Sequence, residues 1–413
     1  MKTNLRFDQQ LLALEAEHDV HCMLELLAPD APETGRRPLH LAVVIDRSGS
    51  MEGARLDAAR ECTRFLANRL RPTDQLAVVT FDDQVDLLVP LGPPDATALS
   101  TVLDQMCAGG MTNLSGGWLK GIEELGRAQG AATRRVLLLT DGHANEGILD
   151  RVQLEQIASG TKTRVSTTTI GIGEGFDEDL LTAIAGHSDG NTYFAESPED
   201  APGIFAEEFD GLASLVAQNV SVEIRPTDAV ELVGVLNDYP VTNVPGGLQI
   251  AVGDAYGSEC RRLVFALHIP QLAALGPARV ADVVLRYVSV GTDIAAHEVT
   301  VPVVVNLVNA DEAAAVDIDS EVTDEVWLLK SARARRDAID AADAGDWDAS
   351  RDALGATAAS LRMAACDSPH AAPLLAEADL LEAEADATME SDPMWRKRVN
   401  QQAWRRTRGR PAQ

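Results

Sequence analysis

The sequence predicts an α/β protein, with a doubly wound parallel sheet, an antiparallel β-sandwich and a helical C-terminal region. Between residues 39 and 216, short apolar runs alternate with segments of helical period. From residue 220, runs of period two follow one another without a helix of any length between them. From residue 311, helical spacing returns in a strongly acidic stretch. These three periodicities correspond to a βα unit, a sandwich and a helical bundle.

The first 37 residues are expected to contribute strands to the later sandwich. Residues 3–28 contain two runs with apolar alternation, and residues 29–38 include Pro29, Pro32, Gly35 and Pro38, which mark a linker. Because two strands alone are not stable, we expect them to pair with strands beyond residue 217. The following domain would then be inserted into the sequence of the sandwich.

Residues 38–217 are expected to form the doubly wound domain. Strands are predicted near residues 39–45, 75–81, 85–89, 134–140, 164–172 and 191–194. Helices are predicted near residues 52–70, 96–106, 115–128, 149–159, from 177, and 202–217. In an open sheet of this kind, the ligand site lies at the carboxyl ends of the strands.

The remaining chain divides into three predicted segments. Residues 218–310 read as the β-sandwich. Residues 311–392 hold 21 Asp and Glu against 6 Lys and Arg, and they predict an acidic helical hairpin or bundle. Residues 393–413 form a basic tail with seven Lys or Arg. Two interpretations of the tail stay open: a frayed helix paired with the acidic body, or a docking tail for an acidic partner or RNA.

The loop at residues 46–50, Asp-Arg-Ser-Gly-Ser, is the first candidate site. It follows a buried apolar strand and precedes a helix, so Asp46, Ser48 and Ser50 would face one point. One carboxylate and two hydroxyls are the hard oxygen donors that suit Mg²⁺, Mn²⁺ or Ca²⁺. The alternative is that Asp46 and Ser48 merely cap the helix.

Two later stretches favour the metal site. Residues 109–113, Gly-Gly-Met-Thr-Asn, place Thr112 in a glycine-flanked loop before a helix. Residues 136–142 form a second buried strand that ends in Asp141 and Gly142. The pattern Asp-x-Ser-x-Ser, then Thr, then Thr-Asp-Gly resembles the metal-ion-dependent adhesion site of bacterial-type von Willebrand factor type A domains, which are Rossmann-like. All five positions of that site are present: Asp46, Ser48, Ser50, Thr112 and Asp141.

The resemblance covers roughly residues 38–216 and implies a function as well as a fold. In that family the serines and often the threonine touch the metal, and the aspartates act directly or through water. A partner's Asp or Glu commonly completes the shell. Bacterial relatives often work beside AAA+ ATPases or stress-response assemblies. The resemblance therefore implies a magnesium-dependent protein-binding module, a scaffold or assembly factor, rather than an enzyme.

The rival hypothesis is a metal-dependent hydrolase that uses the same site. It needs a general base, and His143 is the only histidine near the site in sequence. A surface role in the loop is the preferred interpretation of His143. Asp82 and Asp83 follow a strand end and are interpreted as turn residues, with acids that support the metal ligands as the alternative, and Arg47 is interpreted as local charge compensation. The glycine-rich run at residues 171–175 lacks the spacing of a nucleotide loop and is interpreted as a turn.

Net charge and cysteine content limit the partners and the cell compartment that we expect for this protein. The net charge of −29 argues against general binding to nucleic acid or to anionic membranes. We expect no leader and no membrane span, because no basic-then-apolar start and no apolar run of sufficient length occurs. Five scattered cysteines without a Cys-x-x-Cys motif favour reduced thiols in a cytoplasm over an exported adhesin.

Overall fold

The computed structural model describes residues 1–31, 36–161, 164–290, 294–387 and 394–407. The chain divides into two compact units. The inserted unit comprises Ala31–Val216 with Val290–Ile294. The discontinuous unit comprises Met1–Asp30, Ala217–Ser289 and Ala295–Gln413. The predicted fold class is confirmed, since the described residues contain a doubly wound sheet, further antiparallel sheets and C-terminal helices.

The strands are numbered in chain order. They are β1 Lys2–Phe7, β2 Leu11–Ala13, β3 His18–Leu27, β4 Leu39–Asp46, β5 Gln75–Phe81, β6 Val85–Gly92, β7 Thr133–Thr140, β8 Ser166–Ile172, β9 Thr192–Ala195, β10 Leu215–Pro226, β11 Glu231–Val235, β12 Val241–Val244, β13 Gly247–Tyr256, β14 Cys260–Ile269, β15 Gly276–Ser289 and β16 Ala295–Val308. The α-helices are α1 Ala54–Arg69, α2 Ala96–Asp104, α3 Leu114–Gly126, α4 Arg151–Thr161, α5 Glu178–His187, α6 Ala201–Ala213, α7 Ala310–Ala314, α8 Ser320–Asp343, α9 Trp347–Asp367, α10 Ala371–Ala387 and α11 Trp395–Thr407.

The inserted unit is built on a six-stranded sheet with the order β6-β5-β4-β7-β8-β9. All neighbours are parallel except β6, which runs antiparallel to β5. Strand order reverses at β4, since the chain builds outward first through β5 and then through β7. The carboxyl ends of β4 and β7 therefore lie side by side at the switch point, where open α/β sheets bind ligands.

Strand β4 is buried along its whole length because helices cover both of its faces. Leu41, Val43 and Ile45 pack in one core with α1, α2 and α6. On the other face, α3 approaches so closely that a Cβ at Gly121 would lie 2.6 Å from Val44 Cγ2. Period-two alternation thus distributes β4 side chains between two apolar layers, and this explains why the strand is a continuous apolar run.

The discontinuous unit contains two antiparallel sheets in which N-terminal strands pair with strands from after the insertion. The first has the order β1-β3-β14-β11, and the second has the order β12-β13-β10-β15-β16-β2. β3 pairs with β14 from Leu27 opposite Cys260 to His18 opposite Ile269. β2 is the exception to the antiparallel pattern, because it pairs parallel to β16. The boundary predicted near residue 217 lies earlier in the chain, since α6 ends at Ala213 and β10 already begins at Leu215.

The C-terminal helices pack on the first sheet of this unit. Val322, Val326 and Leu329 of α8 form one apolar cluster with Met23 of β3 and Val264 of β14. Around that cluster, Arg262 forms ion pairs with Glu321 and Glu325, each at 3.1 Å, and Arg6 pairs with Asp319 at 2.8 Å. Part of the acidic charge of α8 is therefore neutralised by arginines of the sheet.

Residues 395–407 of the predicted basic tail form helix α11. Trp395 and Val399 are buried in the apolar core of the helical region, where they lie one helical turn apart on one face. Arg396 pairs with Asp343 of α8 at 2.8 Å, and Arg406 pairs with the buried Glu377 of α10 at 2.7 Å. This helix thus adds an apolar face to the bundle and basic groups to its acidic surface.

Among the described residues, no helix is both long and apolar enough to cross a lipid bilayer.

Candidate metal centre

The structure brings Asp46 and Asp141 to the same edge of the parallel sheet. Asp46 is the last residue of β4, and Asp141 follows the last residue of β7. The two strands are hydrogen-bonded neighbours in register from Leu39 opposite Thr133 to Ile45 opposite Leu139. Both carboxylates are inaccessible to solvent. Two buried acidic groups in adjacent positions repel each other unless a proton or a cation lies between them.

Asp46 accepts hydrogen bonds from the backbone of Ser48 and from the side chains of Thr140 and Ser48. Ser48 N–H donates to Asp46 Oδ1 at 2.8 Å, and Thr140 Oγ1 donates to Asp46 Oδ2 at 2.6 Å. The pKa of Asp46 is raised to about 6, chiefly by burial; the hydrogen bonds from Thr140 and Ser48 oppose this shift, and the charge of Asp141 adds to it. A carboxyl with a pKa of about 6 is partly protonated just below neutral pH.

Asp141 is connected to both serines of the loop and to an arginine. Ser50 Oγ donates to Asp141 Oδ1 at 2.8 Å, and the hydroxyl oxygens of Ser48 and Ser50 lie 3.1 Å apart. The other carboxylate oxygen, Oδ2, accepts from Arg55 Nη1 at 2.6 Å. Four of the five predicted ligands thus belong to one continuous hydrogen-bonded group.

Thr112 joins this group from the second loop. Gly109 N–H donates to Arg47 O at 2.9 Å, and this bond ties the two loops together. Thr112 N–H donates to the side-chain oxygen of Asn145 at 2.7 Å. A Cβ added to Gly142 would lie 3.5 Å from Ser50 Oγ and 3.6 Å from Thr112 Oγ1. All five predicted site residues are therefore assembled around one point.

The donor set fits a hard divalent cation. It consists of two carboxylates and three hydroxyls, and Gly142 leaves room beside two of the hydroxyls that a side chain would fill. Among the described residues, no group of three or more His, Cys, Asp or Glu is placed to hold a metal. Softer ligation of the zinc-finger type is thus not offered by the part of the chain that the structure describes.

The glycine-rich run at residues 171–175 does more than turn the chain. Its residues after β8 pack against residues of the site. A Cβ at Gly175 would lie 2.5 Å from Asp141 O, and one at Gly173 would lie 3.1 Å from Arg55 Nη2. Gly173 also has φ +73°, which side chains rarely adopt. The run is therefore required where the backbone packs directly against Asp141 and Arg55.

Asp82 lies in the turn between β5 and β6, as predicted, and its carboxylate also contacts the metal loop. Asp82 is buried after β5 and accepts from Arg47 Nε at 2.8 Å and from Gln84 N–H at 2.6 Å. Arg47 also pairs with Asp86 at 2.7 Å, so the predicted local charge compensation by Arg47 is an interaction with β5 and β6. β5 is the other strand that pairs with β4. An acidic residue directly after β5 in the sequence could therefore have been expected to lie near the site.

Three residues at the site were not predicted from the sequence: Arg55, Asn145 and the hydroxyl role of Thr140. Each acts on a predicted ligand, since Arg55 binds Asp141, Asn145 orients Thr112 and Thr140 binds Asp46. His143 is exposed in the loop after β7.

The comparisons with known proteins identify the domain. Residues 40–207 match the family model of the von Willebrand factor type A domain. The chain has the fold of a von Willebrand factor type A protein from Catenulispora acidiphila, with a TM-score of 0.75, 17% identity and coverage of 97% of this chain and 96% of that one. The inserted unit therefore contains a von Willebrand factor type A domain.

Curated relatives match over part of their length. A protein of Synechocystis sp. described as uncharacterized is 28% identical over 273 residues, which are 63% of this chain and 64% of that protein. Inter-alpha-trypsin inhibitor heavy chain H1 of Bos taurus is 29% identical over 202 residues, which are 46% of this chain and 22% of the bovine protein. The chain thus spans less than two thirds of the length of either relative.

Proposed function

We propose that the protein is a divalent-metal-dependent protein-binding module that captures a partner carboxylate at Asp46, Ser48, Ser50, Thr112 and Asp141. The observation that carries the proposal is the convergence of these five oxygen-bearing side chains at the carboxyl ends of β4 and β7. Mg²⁺ is the preferred ion, with Mn²⁺ or Ca²⁺ as alternatives, since hard oxygen donors suit all three.

The charge of the donor set supports an open position. Asp46 and Asp141 supply two negative charges, and the three hydroxyls supply none. With a bound divalent ion the two carboxylates balance the charge of the ion and the three hydroxyls add none, so the site has no net negative charge that would repel a partner carboxylate at an open position of the ion. Mg²⁺ prefers six oxygens, so the remaining positions fall to water or to a partner. Metal binding and partner binding should therefore be coupled.

The surroundings of the site support a protein partner. Met111 precedes Thr112 in the second loop and is 46% exposed. Apolar side chains at the rim of a polar centre are typical of protein interfaces, where aromatic residues and Met are enriched. A partner would thus present an acidic residue with apolar neighbours.

A binding role is favoured over hydrolysis. A hydrolase needs a base within hydrogen-bond reach of a metal-bound water, and the one nearby histidine, His143, is exposed in its loop. We further propose a cytoplasmic scaffold or assembly factor, with an AAA+ ATPase or a stress-response assembly as the class of partner. The resemblance of the five site residues to the adhesion site is the support for this part of the proposal.

The metal site is tested by isothermal titration of Mg²⁺ and Mn²⁺ into the full chain. The wild type should bind one ion, and Asp46→Ala should lose binding at millimolar metal while remaining folded by circular dichroism. Asp83→Ala is the matched control, because it removes an exposed carboxylate next to the buried Asp82. A wild type without binding, or equal binding by Asp46→Ala, would refute the site.

Partner capture is tested by pull-down from a native lysate. Bait is the wild type in Mg²⁺, the wild type in EDTA, and Asp46→Ala in Mg²⁺. A partner that depends on the metal centre should be retained in the first arm alone. Equal recovery in all three arms would separate partner binding from the metal.

A further inference from the structure

Arg55 places a fixed positive charge on a predicted metal ligand. Its Nη1 donates to Asp141 Oδ2 at 2.6 Å and to Ser50 O at 3.1 Å. Arg55 lies in the first turn of α1, directly after the metal loop. Asp141 is wholly buried, whereas the Arg55 side chain is 35% exposed. One oxygen of the buried carboxylate thus already faces a cation that belongs to the chain.

Gly173 also helps to determine the position of the Arg55 guanidinium. Gly173, after β8, leaves a gap in which a Cβ would come within 3.1 Å of Arg55 Nη2. Gly173 N–H is itself fixed by Ala195 O at 2.8 Å, at the end of β9. The absence of a side chain at Gly173 therefore leaves room for the Arg55 guanidinium beside Asp141.

We propose that Arg55 is a built-in competitor of the metal ion that sets the metal affinity of the site. This inference rests on the proposed function, because it assumes that a divalent cation uses Asp141. A guanidinium and a divalent ion that share one carboxylate repel each other, and beside the buried Asp141 this repulsion is screened less than in bulk water. The charge of Arg55 also stabilises the buried Asp141 carboxylate whenever no metal is bound.

The proposal predicts two opposite effects of removing the charge. Arg55→Gln should bind Mg²⁺ roughly tenfold more tightly than the wild type, because the repulsion is gone. In EDTA the same variant should melt at a lower temperature than the wild type, because Asp141 has lost its cationic partner. The increase in melting temperature on adding Mg²⁺ should consequently be larger in Arg55→Gln.

The experiment is a Mg²⁺ titration by calorimetry together with thermal melting in EDTA and in Mg²⁺. Arg64→Gln is the matched control. Arg64 lies on the same helix, is 32% exposed and also pairs with an aspartate, Asp104, away from the site. Arg64→Gln should keep wild-type metal affinity. Arg55→Lys keeps the positive charge and should stay within about twofold of the wild type, since the repulsion depends on charge.

The outcomes separate this inference from the proposed function. A wild type that binds no Mg²⁺ refutes the metal site itself. If the wild type binds and Arg55→Gln binds equally or more weakly, the site stands and the competitor role is wrong. Equal affinity changes in Arg55→Lys and Arg55→Gln would also overturn it, because they would indicate a role in packing. Arg55→Met supplies a second neutral variant, so that the result does not depend on one replacement folding.

Discussion

Asp46 combines deep burial with hydrogen bonds that favour its charged form. Burial is the larger effect and raises its pKa to about 6 from the ordinary 3.8. Thr140 and Ser48 reduce the shift without cancelling it. A metal ion would relieve the same desolvation penalty, because it replaces the lost hydration with direct charge interaction.

The pKa of Asp46 predicts how stability depends on pH in the metal-free protein. The folded state has the higher pKa, so between about pH 4 and pH 6 it binds more protons than the unfolded state. Stability should therefore rise as the pH falls through this window. Relative to Asp46→Asn, the wild type in EDTA should gain on the order of 2–3 kcal/mol between pH 7 and pH 4.

Hydrogen exchange of the β4 amides is the suitable measurement, because it reports on the unit that contains Asp46. Mg²⁺ affinity should follow the opposite trend and weaken below about pH 6, where a proton occupies Asp46. A wild type and Asp46→Asn with parallel pH profiles would contradict the burial of a titrating carboxyl.

The candidate ligands could be predicted because they are local in sequence or follow buried strands. Asp46, Ser48 and Ser50 lie in one loop, and Asp141 ends a strand of the same apolar type. Arg55 could not be assigned in this way. Its contact with Asp141 depends on how the turn at residues 49–53 rotates α1, and Gly53 there has φ +83°. Such a rotation is a tertiary property that no periodicity encodes.

At the scale of elements, helix α3 is positioned by its glycines. A Cβ at Gly117 would lie 2.4 Å from Phe81 Cδ1, and one at Gly121 would lie 2.6 Å from Val44 Cγ2. Both contacts involve strands that end at the site, namely β5 and β4. The close packing of α3 therefore determines where the loop that carries Thr112 enters the centre.

The glycines of α3 predict a contrast between two identical substitutions. Gly121→Ala should lower the melting temperature, because overpacking against Val44 costs about 1–3 kcal/mol. Gly126→Ala, at the end of the same helix, meets no atom within 4 Å and should be neutral or stabilising by up to about 1 kcal/mol. Thermal melting in EDTA compares the two. A stabilising Gly121→Ala would contradict the close approach of α3 to β4.

Elements with a strong period were predictable, and those that depend on a neighbour were not. β4 and β7 are continuous apolar runs, and both could be placed from the sequence. β12 escaped prediction because it is a four-residue strand on the edge of its sheet, and most of its residues are exposed. For α11, one of the two open interpretations was a frayed helical end paired with the acidic body; its apolar burial depends on α8, α9 and α10 and could not be foreseen.

At the scale of the whole molecule, one unit is interrupted by the other in sequence. Sequence patterns indicated the interruption through the change from strand–helix alternation to strands alone. They could not supply the register, since β3 has a choice of several later strands and only packing selects β14. The parallel pairing of β2 with β16 was likewise not foreseeable from alternation.

The interruption predicts that the N-terminal segment stays attached after cleavage of the chain. A site-specific protease sequence inserted after Ala31 should yield a fragment of residues 1–31 that co-elutes with the remainder in size-exclusion chromatography. The reason is the continuous ladder between β3 and β14 and the apolar cluster of Met23 with Val264. The same sample in urea should release the fragment. Release under native conditions would contradict the pairing.

The ladder between β3 and β14 also determines the order in which the chain can fold during its synthesis. Asp19 and His268 pair across it although they lie 249 positions apart. At 5–20 residues per second, roughly ten to fifty seconds of translation separate the two strands. During that interval Cys22, Met23 and Leu24 of β3 lack the cover that β14 later provides, because β14 has not been synthesised. Every strand of the inserted unit is synthesised before β14. β3 thus leaves the ribosome before the inserted unit but can pair with β14 only after it, so the von Willebrand factor type A domain can fold before β3 is in place.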